Sequence, residues 1–114
     1  MNIKRGEIYL ATLDPVVGKE ISKTRPVVVI SNDKNNEFSA TVTVLPLTSR
    51  SLQKIYPFEV FLPKGAGNLP KDSKVKADQI RTLDKSRLLT LIGKLEGEEI
   101  IQIEKAMKIH LELS

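Results

Sequence analysis

Apolar residues recur at a spacing of two along most of the chain, then change to helical spacing after residue 97. Residues 7–13 alternate polar and apolar and include Tyr9, which predicts a first strand. Pro26 fixes φ and lacks an N–H, so it is expected to be the first residue of a second strand. Val27-Val28-Val29-Ile30 follows, a β-branched apolar run suited to a strand buried on both sides, as in a small barrel. Residues 40–48 predict a third strand, with Val42 and Val44 on one face and Thr41 and Thr43 on the other. Pro46 within it implies a bulge or an edge. Further strands are expected over residues 57–62, with Phe58, Val60 and Leu62 on one face, over 73–81 and over 87–95. From Glu98 onward Ile100, Ile103, Ala106, Met107 and Leu111 form the stripe of an amphipathic helix, with Glu98 and Glu99 in its first turn, where the dipole favours anions.

The connections carry turn chemistry. Asp14-Pro15-Val16-Val17-Gly18 is a turn, and residues 19–24 read as a mobile surface loop leading to Arg25. Residues 31–39 read as a polar turn, 49–56 as a basic loop with Arg50 and Lys54, and 63–71 as a loop. A further turn is expected at Leu83-Asp84-Lys85. Five or six short strands and one terminal helix predict a mainly β chain: a small antiparallel barrel with a C-terminal α-helix packed on it.

Composition narrows the function classes. A chain of 114 residues is expected to form a single domain over residues 1–114. With 40% hydrophobic and 28% charged residues it has a globular balance. The absence of cysteine removes disulfides, thiolate nucleophiles and zinc–cysteine sites. No signal-peptide pattern opens the chain, and no apolar run approaches the ~20 residues that span a bilayer. A soluble, cytoplasmic protein without membrane contact is expected. The net charge is +4, with a basic body and a slightly acidic stretch from residue 96, which suits a polyanionic partner.

Several residues could carry chemistry. Arg25, at the mouth of a rigid strand, can hydrogen-bond two phosphate oxygens at once, or instead pair with Glu20 or Asp78. Thr48 ends the third strand and can offer its hydroxyl to a phosphate, although Thr is common in strands for propensity alone. Lys74, Lys76 and Asp78 alternate along one expected strand and would share a face, with neighbours ~6.6–6.8 Å apart. That face could hold a phosphate beside a carboxylate, or be a solvated surface with compensating charges. The lone histidine, His110, falls within the apolar stripe and is expected to be a largely buried structural residue. No His/Asp/Glu cluster has metal-ligand spacing, and no phosphate-loop or dinucleotide motif is present. Any catalysis is expected to need no metal and no cofactor.

Five segments occur in a specific order: Lys4-Arg5-Gly6-Glu7-Ile8-Tyr9, Leu13-Asp14-Pro15-Val16-Val17-Gly18-Lys19-Glu20, Thr24-Arg25-Pro26-Val27-Val28-Val29-Ile30-Ser31-Asn32, Leu45-Pro46-Leu47-Thr48 and Asp78-Gln79-Ile80-Arg81-Thr82-Leu83-Asp84. Together they resemble the MazF/PemK family of toxin endoribonucleases from toxin–antitoxin systems, almost from end to end. The resemblance implies an SH3-like barrel and a homodimer that cleaves single-stranded messenger RNA at specific sequences without a metal. It also implies inhibition by a cognate antitoxin with an acidic, flexible tail. By residue, it implies catalytic roles for Arg25 and Thr48, and for Asp78 as in some members. Lys19, Glu20, Lys23, Arg50, Lys76, Gln79 and Arg81 are the expected RNA contacts. Two departures stand out. Ser22 and Lys23 replace a glycine pair found in some members, and Lys19 and Lys76 stand where some members carry a histidine and an arginine.

The expected chemistry is attack by the RNA's own 2′-OH, leaving a 2′,3′-cyclic phosphate and a 5′-OH. Arg25 would stabilise the developing charge and Thr48 would orient the phosphate. Asp78 or Glu20 would be the base, and Lys76 would supply positive potential. Two rivals stand beside this reading: a toxin resembling the CcdB type, which binds DNA gyrase and cuts no RNA, and an RNA-binding module without activity.

Overall fold

The protein is described here by a computed structural model covering residues 2–20 and 23–114. In chain order the elements are β1 (Glu7–Thr12), β2 (Thr24–Val29), α1 (Asp33–Phe38), β3 (Thr41–Thr48), β4 (Glu59–Leu62), β5 (Ser73–Lys76), β6 (Arg81–Asp84), β7 (Leu88–Lys94) and α2 (Glu98–Leu111). The strands form one antiparallel sheet in the order β4-β5-β3-β2-β1-β7, with β6 also on β3. Among the described residues no pairing joins β4 to β7, so the expected barrel is a rolled sheet that stays open.

β3 is the strand on which the roll turns. One edge pairs with β2 from Val44 to Pro46. The other edge pairs with β6 over Thr41–Val44 and then with β5 at Leu47 and Thr48. Pro46 lies at the change of partner, where that edge has no ladder to interrupt. Pro26 sits third in β2 rather than first. It lies opposite Leu10, but pairing with β3 begins only at Val27, so one side of the strand is open at the proline too.

The β-branched run is buried on both faces, as its composition predicts. Val28 packs with Ile8, Leu45, Leu47, Val75, Ile103 and Ala106 on one side of the sheet. Val27 and Val29 pack with Tyr9, Ala11, Val42, Val44 and Leu83 on the other. Alternate side chains of one strand thus serve two cores. The buried Tyr9 hydroxyl is held 3.1 Å from Glu7, and burial with that carboxylate pushes its pKa up to about 12.

Further expectations fail for identifiable reasons. Residues 31–39 are not a simple turn, because α1 forms there. Asn32 caps it by accepting from the Asn35 N–H at 2.9 Å. Asn36 is buried and exchanges hydrogen bonds with Ser31, accepting from its hydroxyl at 2.5 Å and donating to its carbonyl at 2.9 Å. Polar residues with no apolar period hold this helix through caps and local bonds. Residues 73–81 are not one strand, because β5 ends at Lys76 and a turn over 77–80 precedes β6. The pairing of β6 with β3 takes in Leu83 and Asp84, where a turn was expected at Leu83-Asp84-Lys85. His110 is exposed rather than buried. Only Ile103 and Ala106 of α2 are fully buried, and the last turn runs past the core with the His110 ring tilted against Phe58.

Asn36→Ala is expected to lower stability by about 1–3 kcal/mol, because the Ser31 groups lose their buried partner. Urea denaturation with an unchanged slope would measure it, and a loss within error would show that α1 does not depend on this residue.

Candidate functional site

The β2–β3 pairing stops at Val27–Pro46, and the same register carried two residues further sets Arg25 opposite Thr48. Each keeps a partner on its far side: Arg25 lies across from Ala11 and Thr48 from Lys74. The strands therefore splay at this end while both residues remain held by rigid ladders. Between them opens a cavity of about 260 Å³. Arg25, Lys71, Thr24, Thr48, Ser49 and Ser73 line it, together with Leu10, Leu47, Leu69 and Ile92. No carboxylate lines it among the described residues. Two cations and several hydroxyl-bearing residues over an apolar floor suit a phosphodiester attached to a base.

The other expected residues separate into groups. Lys19, Glu20, Asp78, Gln79 and Arg81 line a second depression with Ile80, of about 320 Å³. Asp78 lies in the turn after β5 and does not line the Arg25–Thr48 cavity. Arg81 also serves the fold, donating to the Leu13 carbonyl at 2.9 Å, while Arg87 donates to the Thr12 and Asp14 carbonyls at 3.2 and 2.6 Å. These arginines anchor the stem of the 14–23 loop. Lys23 closes that stem: its N–H reaches Asp14 Oδ1 at 3.0 Å and its carbonyl accepts from Leu13 at 2.9 Å. It holds a left-handed φ of 70°, and Ser22 beside it lies outside the described residues. Arg50 is exposed, and its N–H donates to Thr48 Oγ1 at 3.1 Å.

The expected Lys74/Lys76/Asp78 face is not a free phosphate surface. Lys74 is buried, and Glu59, also buried, lies between the two lysines. Glu59 Oε1 accepts from Lys74 Nζ at 3.0 Å, and Oε2 accepts from Lys76 Nζ at 2.5 Å. Lys76 Nζ also stands 3.6 Å from Asp78. Burial disfavours the Glu59 carboxylate, but hydrogen bonds from Lys76, the Tyr56 N–H and Lys74 outweigh it and hold its pKa below the usual value. Burial likewise opposes the charge on Lys76, and its bond to Glu59 and the nearby Asp78 charge hold its pKa above the usual value. Alternation correctly placed Lys74 and Lys76 on one face, but nothing in the pattern distinguished a buried ion network from a solvated one.

Sequence reasoning also missed Lys71, Ser49 and Ser73 as cavity residues. Lys71 and Ser73 lie far along the chain from Arg25, and only the β3–β5 pairing brings them to it.

A family model described as PemK-like, MazF-like toxin of type II toxin–antitoxin system matches residues 4–111. The chain is 40% identical to Endoribonuclease MazF9 of Mycobacterium tuberculosis over 97% of this chain and 98% of that protein. Its fold is similar to MazF from Deinococcus radiodurans, with a TM-score of 0.84, 27% identity and 98% of each chain covered. It is also similar to an endoribonuclease solved in complex with its cognate antitoxin from a mycobacterial species, with a TM-score of 0.81 and 25% identity over 98% of this chain and 97% of that one.

The Glu59 network predicts a pH signature. A carboxyl whose folded pKa lies below its usual 4.5 contributes stability that is complete above that value and is lost as pH falls through the lower, folded one. Glu59→Gln should therefore flatten the acid limb of stability against pH, followed by urea midpoints. An unchanged limb would mean that other carboxylates set it.

Proposed function

The chain belongs to the PemK-like, MazF-like toxins of type II toxin–antitoxin systems, and on that footing we propose that it is an endoribonuclease cutting single-stranded RNA at specific sequences without a metal. The observation that carries this reading is the cavity where Arg25 and Thr48 meet, positively charged and free of carboxylate among the described residues. The 2′-OH gives its proton to the base as its oxygen attacks phosphorus, and the bond from phosphorus to the 5′-oxygen breaks. That 5′-oxygen takes a proton from Arg25 or solvent, leaving a 2′,3′-cyclic phosphate and a 5′-OH. Arg25 stabilises the charge that builds on the phosphoryl oxygens. The Thr48 hydroxyl orients the phosphate, and Lys71 adds positive potential at the cavity wall. Asp78, which lines the second depression beside Lys76, is the proposed base. Lys19, Glu20, Gln79 and Arg81 bind flanking nucleotides in the second depression, with Lys23, Arg50 and Lys76 adding charge along the path. Unstacked, single-stranded RNA fits such a surface, because a duplex hides its base edges in a narrow groove.

The same reading extends to partners and place. The protein acts in the cytoplasm as a homodimer, and a cognate antitoxin blocks it with an acidic flexible segment that competes for the cationic cavity. A structural relative solved in complex with its cognate antitoxin supports an antitoxin as partner.

Purified protein is expected to cut a long single-stranded RNA into discrete fragments in EDTA, with Arg25→Ala reducing kcat by ~10²–10³. Cleavage that survives replacement of the target 2′-OH by hydrogen would sink the mechanism. Intact RNA together with gyrase inhibition would favour the CcdB-like alternative, and RNA binding without cleavage would leave a binding module. Asp78→Asn should lower kcat; a rise in KM alone would move Asp78 from catalysis to binding.

A further inference from the structure

Segment 49–56 links β3 to β4 without a strand of its own, and it follows Thr48 directly. It carries the exposed residues Arg50 and Lys54. Ser51 within it holds a left-handed φ of 55°, a conformation that a residue with a side chain keeps only when its surroundings impose it. Inward-turned carbonyls in such a segment also need donors, because no neighbouring strand supplies them.

Lys74 supplies those donors. Its ammonium donates to the Ser51 carbonyl at 2.9 Å, the Lys54 carbonyl at 3.1 Å and Glu59 Oε1 at 3.0 Å. An ammonium has three N–H donors, so every one is placed. The side chain is 5% exposed, so this charge is withdrawn from water rather than offered to a ligand. Glu59 Oε1 also accepts from the Tyr56 N–H at 3.0 Å, which fixes the far end of the same segment. The Lys54 ammonium rests over the Tyr56 ring, 4.8 Å from its centroid. Lys74 is moreover the β5 residue paired with Thr48. One buried cation therefore ties the end of β3, the segment beyond it and the start of β4 into a single unit. Replacing a whole buried ion pair by apolar residues of similar volume is often neutral or stabilising, so core stability alone does not account for the Lys74–Glu59 pair.

We propose that Lys74 is a positioning residue whose buried ammonium clasps segment 49–56 against β4 and β5, so that Arg50 and its neighbours form a preformed RNA-binding wall beside Thr48. The inference rests on the nuclease reading above for its ligand, single-stranded RNA, but not for the clasp itself. Without the clasp the wall forms only part of the time. A ligand that needs a fractionally populated state binds more weakly by that fraction, while the chemistry of the bound complex is untouched.

The test compares Lys74→Met and Lys74→Arg with the unaltered protein, after circular dichroism and thermal melts establish folding. Two readouts are taken: KM and kcat on single-stranded RNA, and trypsin cleavage after Arg50 and Lys54. Lys74→Met should raise KM about tenfold with kcat within about twofold, for a wall populated roughly a tenth of the time. Tryptic cleavage at both sites should accelerate by a comparable factor, and Lys74→Arg should recover most of both effects. A folded Lys74→Met protein with unchanged KM and unchanged proteolysis overturns the proposal. So does a fall in kcat at constant KM, which would put the effect at the reacting phosphate. If Lys74→Met does not fold, Lys74→Gln, which keeps two donors, is measured against the same criteria. If the unaltered protein cuts no RNA, the proposed function fails, and the trypsin arm alone decides the clasp.

Discussion

The geometry at the cavity depends on where the pairing between β2 and β3 stops. Up to Val27 and Pro46 the two strands are joined, and beyond them they part while each stays held by its other neighbour. A backbone ladder fixes Cα positions far more tightly than side-chain contacts do, so Arg25 and Thr48 are placed by the sheet rather than by each other. Both residues line the cavity from strands whose far edges stay paired. This is the arrangement a site requires if its groups are to be in place before the substrate arrives.

Charge around this opening is divided by burial. Arg25 and Lys71 line the cavity, whereas Lys74 is neutralised inside the fold by Glu59. Lys76 is engaged by Glu59 and Asp78 together. Four cations close in sequence or pairing thus take different parts. The segment that resembled a phosphate-binding stripe is largely structural, and the cation beside the cavity is Lys71, three residues before the stripe begins.

Much of the architecture was legible in the residues. Alternation together with the β-branched run located β1 to β5 and β7, and the switch to helical spacing marked α2. The apolar run at Val27–Val29 announced burial on both faces, which the two cores confirm. The resemblance carried by the ordered motifs singled out Arg25 and Thr48, and both line one cavity where β2 and β3 part. What stayed hidden has common causes. The α1 helix is held by Asn32 and Asn36 side chains, and hydrophobic periodicity does not register such bonds. The division of residues 73–81 arises because the chain leaves one half of β3 and rejoins the other, a decision made by tertiary pairing. His110 was misplaced because a stripe shows which side of a helix is apolar, not where the core beneath it ends.

The two prolines acquire a further meaning from the valine run between them. A strand with one dry face is locked in register, because slipping by one residue turns its apolar set into water. A strand that is apolar on both faces loses that safeguard: slipped pairings bury as much as the correct one. Here Pro26 and Pro46 lie at places where one edge of their strand has no partner. Sliding β2 or β3 would carry a residue without an N–H into a continuous ladder and forfeit a hydrogen bond there. Two residues with no chemistry of their own thus act as register stops, and they determine which arginine and which threonine share the opening.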